Sequence, residues 1–126
     1  MSRALGFVST PQGTMRYDIF VAALFKRDSR EMMLNHAALG VAGEAGELAD
    51  AIKKEVHYGK APDLENIIEE IGDVRFYLQA LMNLYNISEQ AILEYNAEKL
   101  GKRYPAGLFS TQDAIARKDK EEGDQK

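Results

Sequence analysis

The three prolines of the chain divide it into long stretches that carry helical periodicity. Pro11, Pro62 and Pro105 lie where apolar patterns stop or start, and the stretches between them are too long for single strands. After Pro62 the apolar residues keep the 3.6-residue period of an amphipathic helix. We find no internal repeat, no Gly/Ser linker and no alternating strand pattern. The sequence therefore predicts an all-α fold, a four-helix-type bundle with a short extra C-terminal helix.

Capping residues set the predicted boundaries of the helices. Ser29, Asp63, Ser88 and Ser110 each precede a helical pattern, and their side chains can accept a hydrogen bond from the first turn. We expect helices over about residues 14–26, 29–58, 63–85 and 88–103, and a short one from residue 110. Residues 1–13 are predicted to be an irregular arm, residues 14–118 a single all-α domain, and residues 119–126 a flexible charged tail.

Composition narrows the class of protein. A chain of 126 residues has room for one domain, and the absence of cysteine excludes disulfides and thiolate metal sites and favours a reducing cytoplasm. The formal net charge of −4 argues against a general binder of nucleic acid polymers or of anionic membranes. The longest apolar run, Ile19–Phe25, is too short to span a bilayer. We expect a soluble, cytoplasmic protein that binds neither nucleic acid polymers nor membranes.

Carboxylates recur at the same spacing on two of the predicted helices. Glu44 and Glu47 are three residues apart in a stretch of small and apolar residues, and Glu70 and Asp73 repeat that spacing on the next helix. Residues three apart share a helix face, so antiparallel packing across the intervening turn lets the two pairs face each other. Converging carboxylates repel, and a divalent cation relieves the repulsion; all-oxygen ligation favours Mg²⁺ or Mn²⁺. The alternative is a pair of ordinary solvated helix faces.

The first of these helices also contains three glycines. Gly40, Gly43 and Gly46 each cost about 1 kcal/mol relative to alanine inside a helix. Their presence indicates close approach to the helix backbone by a partner helix or a ligand, and tight helix packing alone would also explain them.

On the fourth predicted helix, polar side chains form one stripe. Asn96, Lys99 and Arg103 are spaced so that they share a helix face. An amide and two cations suit a sugar hydroxyl and a phosphate chain. The alternative is an ordinary solvated face.

Two aromatic side chains are predicted to point toward the carboxylates. Tyr77 follows Asp73 by four residues, and His36 precedes Glu44 by eight, which gives each pair a similar direction on its helix. A core aromatic and a hydrogen-bonded structural histidine are the alternative interpretations.

Four blocks of the sequence occur in a consistent order between residues 33 and 117. They are residues 36–50 (HAALGVAGEAGELAD), 58–60 (YGK), 69–73 (EEIGD) and the pattern Asn96-x-x-Lys-Leu-x-x-Arg-Tyr-Pro105. Together these blocks resemble the MazG-like branch of the all-α nucleoside triphosphate pyrophosphohydrolases. The two carboxylate blocks in this setting are far more specific than either block alone.

The resemblance implies a catalytic domain that hydrolyses nucleoside triphosphates, ribo or deoxy, to the monophosphate and pyrophosphate. It implies Mg²⁺, for which Mn²⁺ can substitute, held by Glu44, Glu47, Glu70 and Asp73; we assign Glu47 to orient or deprotonate the attacking water. The substrate-binding residues that follow from this comparison and from helical geometry are Asn96, Lys99, Arg103, Tyr77, Lys54 and His36. The resemblance also implies a homo-oligomer, a dimer or tetramer, which fits a first helix that is apolar on most sides.

Some features leave alternatives open. Arg75 stands where relatives usually carry an apolar residue, and the chain has no tryptophan to stack on a base, so the base preference stays open. The alternative functions are a non-enzymatic helical interaction or regulatory module, and a related hydrolase that acts on nucleoside diphosphates or on a modified nucleotide.

Overall fold

The computed structural model describes residues 6–120 and confirms the all-α prediction. In this part of the chain a short hairpin precedes five α-helices and a one-turn 3₁₀ helix. The elements are β1 (Phe7–Thr10), β2 (Gly13–Arg16), α1 (Tyr17–Leu24), α2 (Arg30–Tyr58), α3 (Leu64–Tyr85), α4 (Glu89–Arg103), α5 (Thr111–Ala116) and the 3₁₀ helix Lys118–Lys120. The chain divides into two compact units; the first ends at Asn86 and the second begins at Ile87. None of the helices within residues 6–120 is long and apolar enough to cross a membrane.

The predicted capping residues begin four of the helices. Ser29, Asp63, Ser88 and Ser110 each accept a hydrogen bond from the backbone N–H three residues on, at 3.1 to 3.2 Å. At the other end of α2, Gly59 adopts the left-handed conformation with φ of 63°, which a glycine does without steric cost. These local signals explain why the predicted helix boundaries from residue 29 onward are close to those observed.

The N-terminal segment differs from the prediction. Instead of an irregular arm, β1 and β2 form an antiparallel hairpin in which Val8 pairs with Met15 and Thr10 with Gly13, and the first helix begins at Tyr17 rather than near residue 14. The prediction was wrong because strands of four residues are too short to show a clear alternation. Residues 1–5 of the predicted arm lie outside the described residues.

In the first unit, α1, α2 and α3 enclose a small core. Val21 from α1, Phe25 directly after α1, Ala37 from α2 and Ala80 from α3 are buried together, and partly buried aromatic side chains are packed against them. The helices α2 and α3 are antiparallel, because Gly40 lies against Tyr77 whereas Glu44, one turn later, lies beside residues that precede Tyr77. This arrangement is the one that the carboxylate spacing required.

A chain of polar side chains fastens α1 to α3. Arg75 donates to Gln79 at 2.9 Å, Gln79 donates to Asn83 at 2.9 Å, and Asn83 donates to the backbone carbonyl of Asp18 at 3.0 Å. The Arg75 guanidinium also lies 5.3 Å from the centre of the Tyr17 ring. Arg75 therefore has a structural role, since it holds the beginning of α1 on α3.

The second unit consists of α4, α5 and the 3₁₀ helix. Arg103, at the end of α4, donates through Nε and Nη2 to the two carboxylate oxygens of Asp119, at 2.8 and 3.1 Å. Asp119 was expected in a flexible tail that begins at residue 119, but its side chain is only 1% exposed and lies in an ordered turn. The remainder of the predicted tail, residues 121–126, lies outside the described residues.

The three glycines of α2 are not equivalent. A Cβ atom on Gly40 would overlap the ring of Tyr77, whereas the same atom on Gly43 or Gly46 would meet nothing within 4 Å in the part of the chain that the structure describes. The prediction of close approach therefore holds at Gly40, where α3 packs on the backbone of α2.

This difference predicts opposite effects of two alanine substitutions. Gly40→Ala should lower the free energy of unfolding by about 1–3 kcal/mol, because the Tyr77 ring must move out of its packed position. Gly46→Ala should raise it by up to about 1 kcal/mol, because alanine is the better helix former and has room there. Urea denaturation of both variants tests this; a stabilised Gly40→Ala protein would contradict the packing described.

Candidate functional site

Three predicted metal ligands come together between α2 and α3. Glu44, Glu70 and Asp73 each offer one carboxylate oxygen, and these oxygens lie within 4.8 Å of one another. All three side chains are partly buried. The i, i+3 spacing on α3 places Glu70 and Asp73 on one face, and the antiparallel packing brings Glu44 to it. The structure thus assembles three of the four carboxylates that the sequence singled out.

The pKa of Glu70 shows the effect of bringing these carboxylates together in a partly buried site. Removal from water raises the pKa of its carboxyl above the usual value, and the negative charges of neighbouring carboxylates raise it further, in decreasing order Glu47, Glu44, Asp73 and Glu69. A divalent cation would offset this repulsion, because it supplies positive charge between the carboxylates. An all-carboxylate donor set suits a hard cation such as Mg²⁺ or Mn²⁺.

Glu47 lies close to this cluster without being part of it. Its side chain is exposed, and its carboxylate is not among the three that converge within 4.8 Å. Its charge nevertheless contributes to the raised pKa of Glu70, so the two carboxylates interact. The assignment of Glu47 as a fourth ligand or as the residue that orients water stays a prediction.

Tyr77, one turn after Asp73, and His36, about two turns before Glu44, lie in one aromatic cluster. The His36 ring stacks on Phe25 with 4.7 Å between ring centres, and it meets Tyr77 edge-on at 5.8 Å. Tyr77 also contacts Phe76 and packs over Gly40, so it has the surroundings of a core aromatic. His36 is exposed and lines a cavity of about 280 Å³ beside Asp28 and Met32, among others.

Lys54 forms an ion pair on the surface of α2. Its Nζ lies 3.2 Å from Asp50, one turn earlier on the same helix, and both side chains are more than half exposed. Such pairs contribute little to stability because water screens them. The structure therefore leaves the predicted phosphate-binding role of Lys54 as a prediction.

In the second unit, two members of the predicted substrate stripe line a groove. Asn96 and Lys99 border a groove of about 450 Å³ together with Ile87, Ala91, Ile92 and Tyr95. The third member, Arg103, is engaged with Asp119. This ion pair raises the pKa of the guanidinium and lowers the pKa of the Asp119 carboxyl. No signal in the sequence pointed to Asp119, which lies 16 residues after Arg103 within a run of mixed charges.

Tyr17 is a further residue near the carboxylate cluster that sequence reasoning missed. Its pKa is raised by burial, lowered by the positive charge of Arg75 and raised by the negative charge of Asp73. The phenol is therefore within electrostatic reach of a predicted metal ligand. Tyr17 escaped notice because its closeness to Arg75 and Asp73 depends on the packing of α1 against α3, which spacing along a single helix does not encode.

Comparison with known protein families shows which family the chain belongs to. Residues 34–108, more than half of its length, match the MazG nucleotide pyrophosphohydrolase domain. The chain belongs to the MazG family. The matched segment contains all four predicted metal ligands and the stripe of α4, whereas Asp119 lies beyond it.

Two individual proteins share about 30% sequence identity with this MazG-family chain. It is 28% identical over 80 residues to the Gene 37 protein of Mycobacterium phage L5, covering 60% of this chain and 70% of the phage protein. It is 33% identical over 70 residues to the Uncharacterized protein YvdC of Bacillus subtilis (strain 168), covering 48% of this chain and 66% of that protein. Neither name states a reaction, and no solved structure gives a significant match.

The raised pKa of Glu70 predicts how neutralising this residue changes stability. Since the folded state binds the Glu70 proton more tightly than the unfolded state does, this group lowers stability as pH rises from its ordinary pKa through the raised one. Glu70→Gln should therefore raise the Tm of the metal-free protein at pH 7, with a smaller effect near pH 4.

Glu69→Gln is the matched control, because Glu69 is exposed on the same helix turn and is outside the three-carboxylate group. It should change the Tm less than Glu70→Gln does, because the charge of Glu69 makes the smallest contribution to the raised pKa of Glu70. Thermal melts of both variants in a chelating buffer make the comparison, and a lower Tm for Glu70→Gln at pH 7 would show that the carboxylate is stabilised rather than repelled.

Proposed function

We propose that this MazG-family protein is a Mg²⁺-dependent nucleotide pyrophosphohydrolase that converts a nucleoside triphosphate, ribo or deoxy, to the monophosphate and pyrophosphate. The observation that carries the proposal is the convergence of Glu44, Glu70 and Asp73 inside the segment that matches the family. A charge-repelling set of hard oxygen donors is what a divalent-ion site requires, and it is a poor way to stabilise a helix pair.

Four carboxylates would hold the cation: Glu44, Glu70 and Asp73 would be the three central ligands, and Glu47 would be the fourth. Mg²⁺ is the expected ion, and Mn²⁺ can replace it because both prefer oxygen ligands. When bound, the cation supplies positive charge that stabilises the phosphates and makes water more acidic.

The protein's own side chains then have separate roles. The Glu47 carboxylate accepts a proton from the attacking water, a role that its exposure and its place beside the cluster allow. Lys99 and Arg103 neutralise phosphate oxygens, and Asn96 hydrogen-bonds a sugar hydroxyl. His36, Tyr77 and Lys54 are assigned to the periphery of the substrate; Tyr77 packs against the core, and Lys54 pairs with Asp50.

Pyrophosphate release tests this reaction directly. A panel of nucleoside triphosphates with Mg²⁺ should include at least one that yields pyrophosphate and little orthophosphate. Asp73→Asn should reduce this activity by about 100-fold or more, because it removes a charged ligand and keeps the side-chain shape. Asp50→Asn, on the exposed side of α2, is the control and should retain activity. Stepwise release of orthophosphate, or full turnover by folded Asp73→Asn protein, would refute the proposal.

We also propose that the protein is a homo-oligomer, a dimer or tetramer. In the first unit, α3 exposes a row of large apolar side chains, with Leu64 at 69%, Ile68 at 70% and Ile71 at 51% of their full exposure. Contiguous apolar surface of this kind marks protein interfaces. The row follows the helical spacing i, i+4, i+7, which suits packing against another helix.

Light scattering coupled to size exclusion measures this at micromolar concentration. The expected mass is two or four times that of the 14.1 kDa chain. Ile68→Glu should shift the mass toward the monomer, since a charge at the centre of the row cannot be buried without cost. A monomeric wild-type mass would overturn the proposal.

A further inference from the structure

The ion pair between Arg103 and Asp119 has a marked asymmetry in exposure. The Asp119 side chain is 1% exposed, whereas the Arg103 side chain retains 19%. The carboxylate is therefore behind the guanidinium, and the part of the pair that faces water belongs to arginine. If Asp119 instead occupied the place of a phosphate on the solvent side of Arg103, its side chain would be the more exposed of the two.

The contacts also fix the orientation of the guanidinium. Asp119 accepts from Nε and Nη2 in a bidentate arrangement, and the Tyr104 hydroxyl oxygen accepts a further hydrogen bond from Arg103. The planar fork of an arginine held along one edge keeps its remaining N–H groups in a fixed direction. Such preorganisation lowers the entropy that a ligand must remove on binding.

Asp119 also reaches the second cation of the α4 stripe. It lines a groove of about 200 Å³ together with Lys99, Lys102 and Lys120, and the charge of Lys99 is one of the causes that lower the pKa of Asp119. One buried carboxylate thus lies beside two cations, Lys99 and Arg103, that share a face of α4.

We propose that Asp119 is a positioning residue for phosphate binding: it holds Arg103 from behind so that the free N–H groups of the guanidinium bind a phosphate chain together with Lys99. This inference rests on the proposed function, in which Lys99 and Arg103 bind phosphate. It adds a residue that lies outside the segment matched by the family, and it gives the 3₁₀ helix Lys118–Lys120 a role in substrate binding.

Charge and orientation predict opposite results for Asp119→Asn. Removing a negative charge beside two cations should tighten anion binding if only the local field matters. If Asp119 positions Arg103, the neutral amide holds the guanidinium less well and binding should weaken by about tenfold, equivalent to about 1.4 kcal/mol. The sign of the change therefore separates the two accounts.

The test is calorimetric titration of the full chain with inorganic tripolyphosphate in the absence of divalent ions, so that the carboxylate cluster takes no part. Asp119→Asn should bind about tenfold more weakly than wild type, and Asp119→Glu, which retains a carboxylate, should recover part of the loss. Glu98→Gln is the matched control, because it removes one charge from the same groove at an exposed residue paired with Lys102. The Glu98→Gln protein should bind tripolyphosphate as tightly as wild type does, or more tightly.

Tighter or unchanged binding by Asp119→Asn, or no binding by wild type, would overturn the inference. Arginine Nε–H resonances of the wild-type protein give a second readout that does not depend on a variant's folding: the Arg103 Nε–H signal should keep the shift of an ion pair when tripolyphosphate is added. Displacement of that signal to the position of a solvated arginine would mean that phosphate competes with Asp119.

Kinetics separate this inference from the proposed function. If pyrophosphate is released but Asp119→Asn leaves KM unchanged, the reaction stands and the positioning role fails. If no nucleotide is hydrolysed but tripolyphosphate binding weakens as described, the positioning role stands and the reaction fails.

Discussion

The close packing of α3 on α2 is the contact on which the candidate site depends. The Tyr77 ring lies on the backbone of Gly40, and one turn further along the same interface Glu44 lies beside Glu70 and Asp73. The separation that lets an aromatic ring pack on a glycine is therefore also the separation that brings three carboxylates within 4.8 Å. Apolar packing removes Glu70 from water and holds like charges beside it, and both effects raise the pKa of its carboxyl.

Other contacts in the first unit offset the repulsion among the carboxylates. The core around Val21 and Ala80, together with the polar chain from Arg75 to Asp18, ties α1 to α3 without involving the carboxylates. A binding site that destabilises its own metal-free state needs such independent support. The second unit shows the opposite arrangement, since its charged pair is complementary: Asp119 is buried behind Arg103 and orders the end of the described chain.

The sequence predicted what local signals control. Side-chain caps such as Ser29 and Asp63 located the helices, and the i, i+3 carboxylates located the centre of the site, because both depend on the helix period alone. The hairpin and the ordered Asp119 were missed for physical reasons. Four-residue strands carry too little alternation to detect, and a bidentate ion pair across 16 residues depends on tertiary structure that no spacing encodes.

The central claim is that the carboxylates of α2 and α3 form a divalent-ion site, and titration with Mn²⁺ followed by electron paramagnetic resonance measures it without any substrate. The wild-type chain should bind Mn²⁺, Mg²⁺ should displace it, and Glu44→Gln should weaken binding by about tenfold or more, because it removes the only α2 oxygen of the three that converge. Asp50→Asn, on the same helix, should bind as wild type does. Equal Mn²⁺ affinity in wild type and Glu44→Gln would contradict the account.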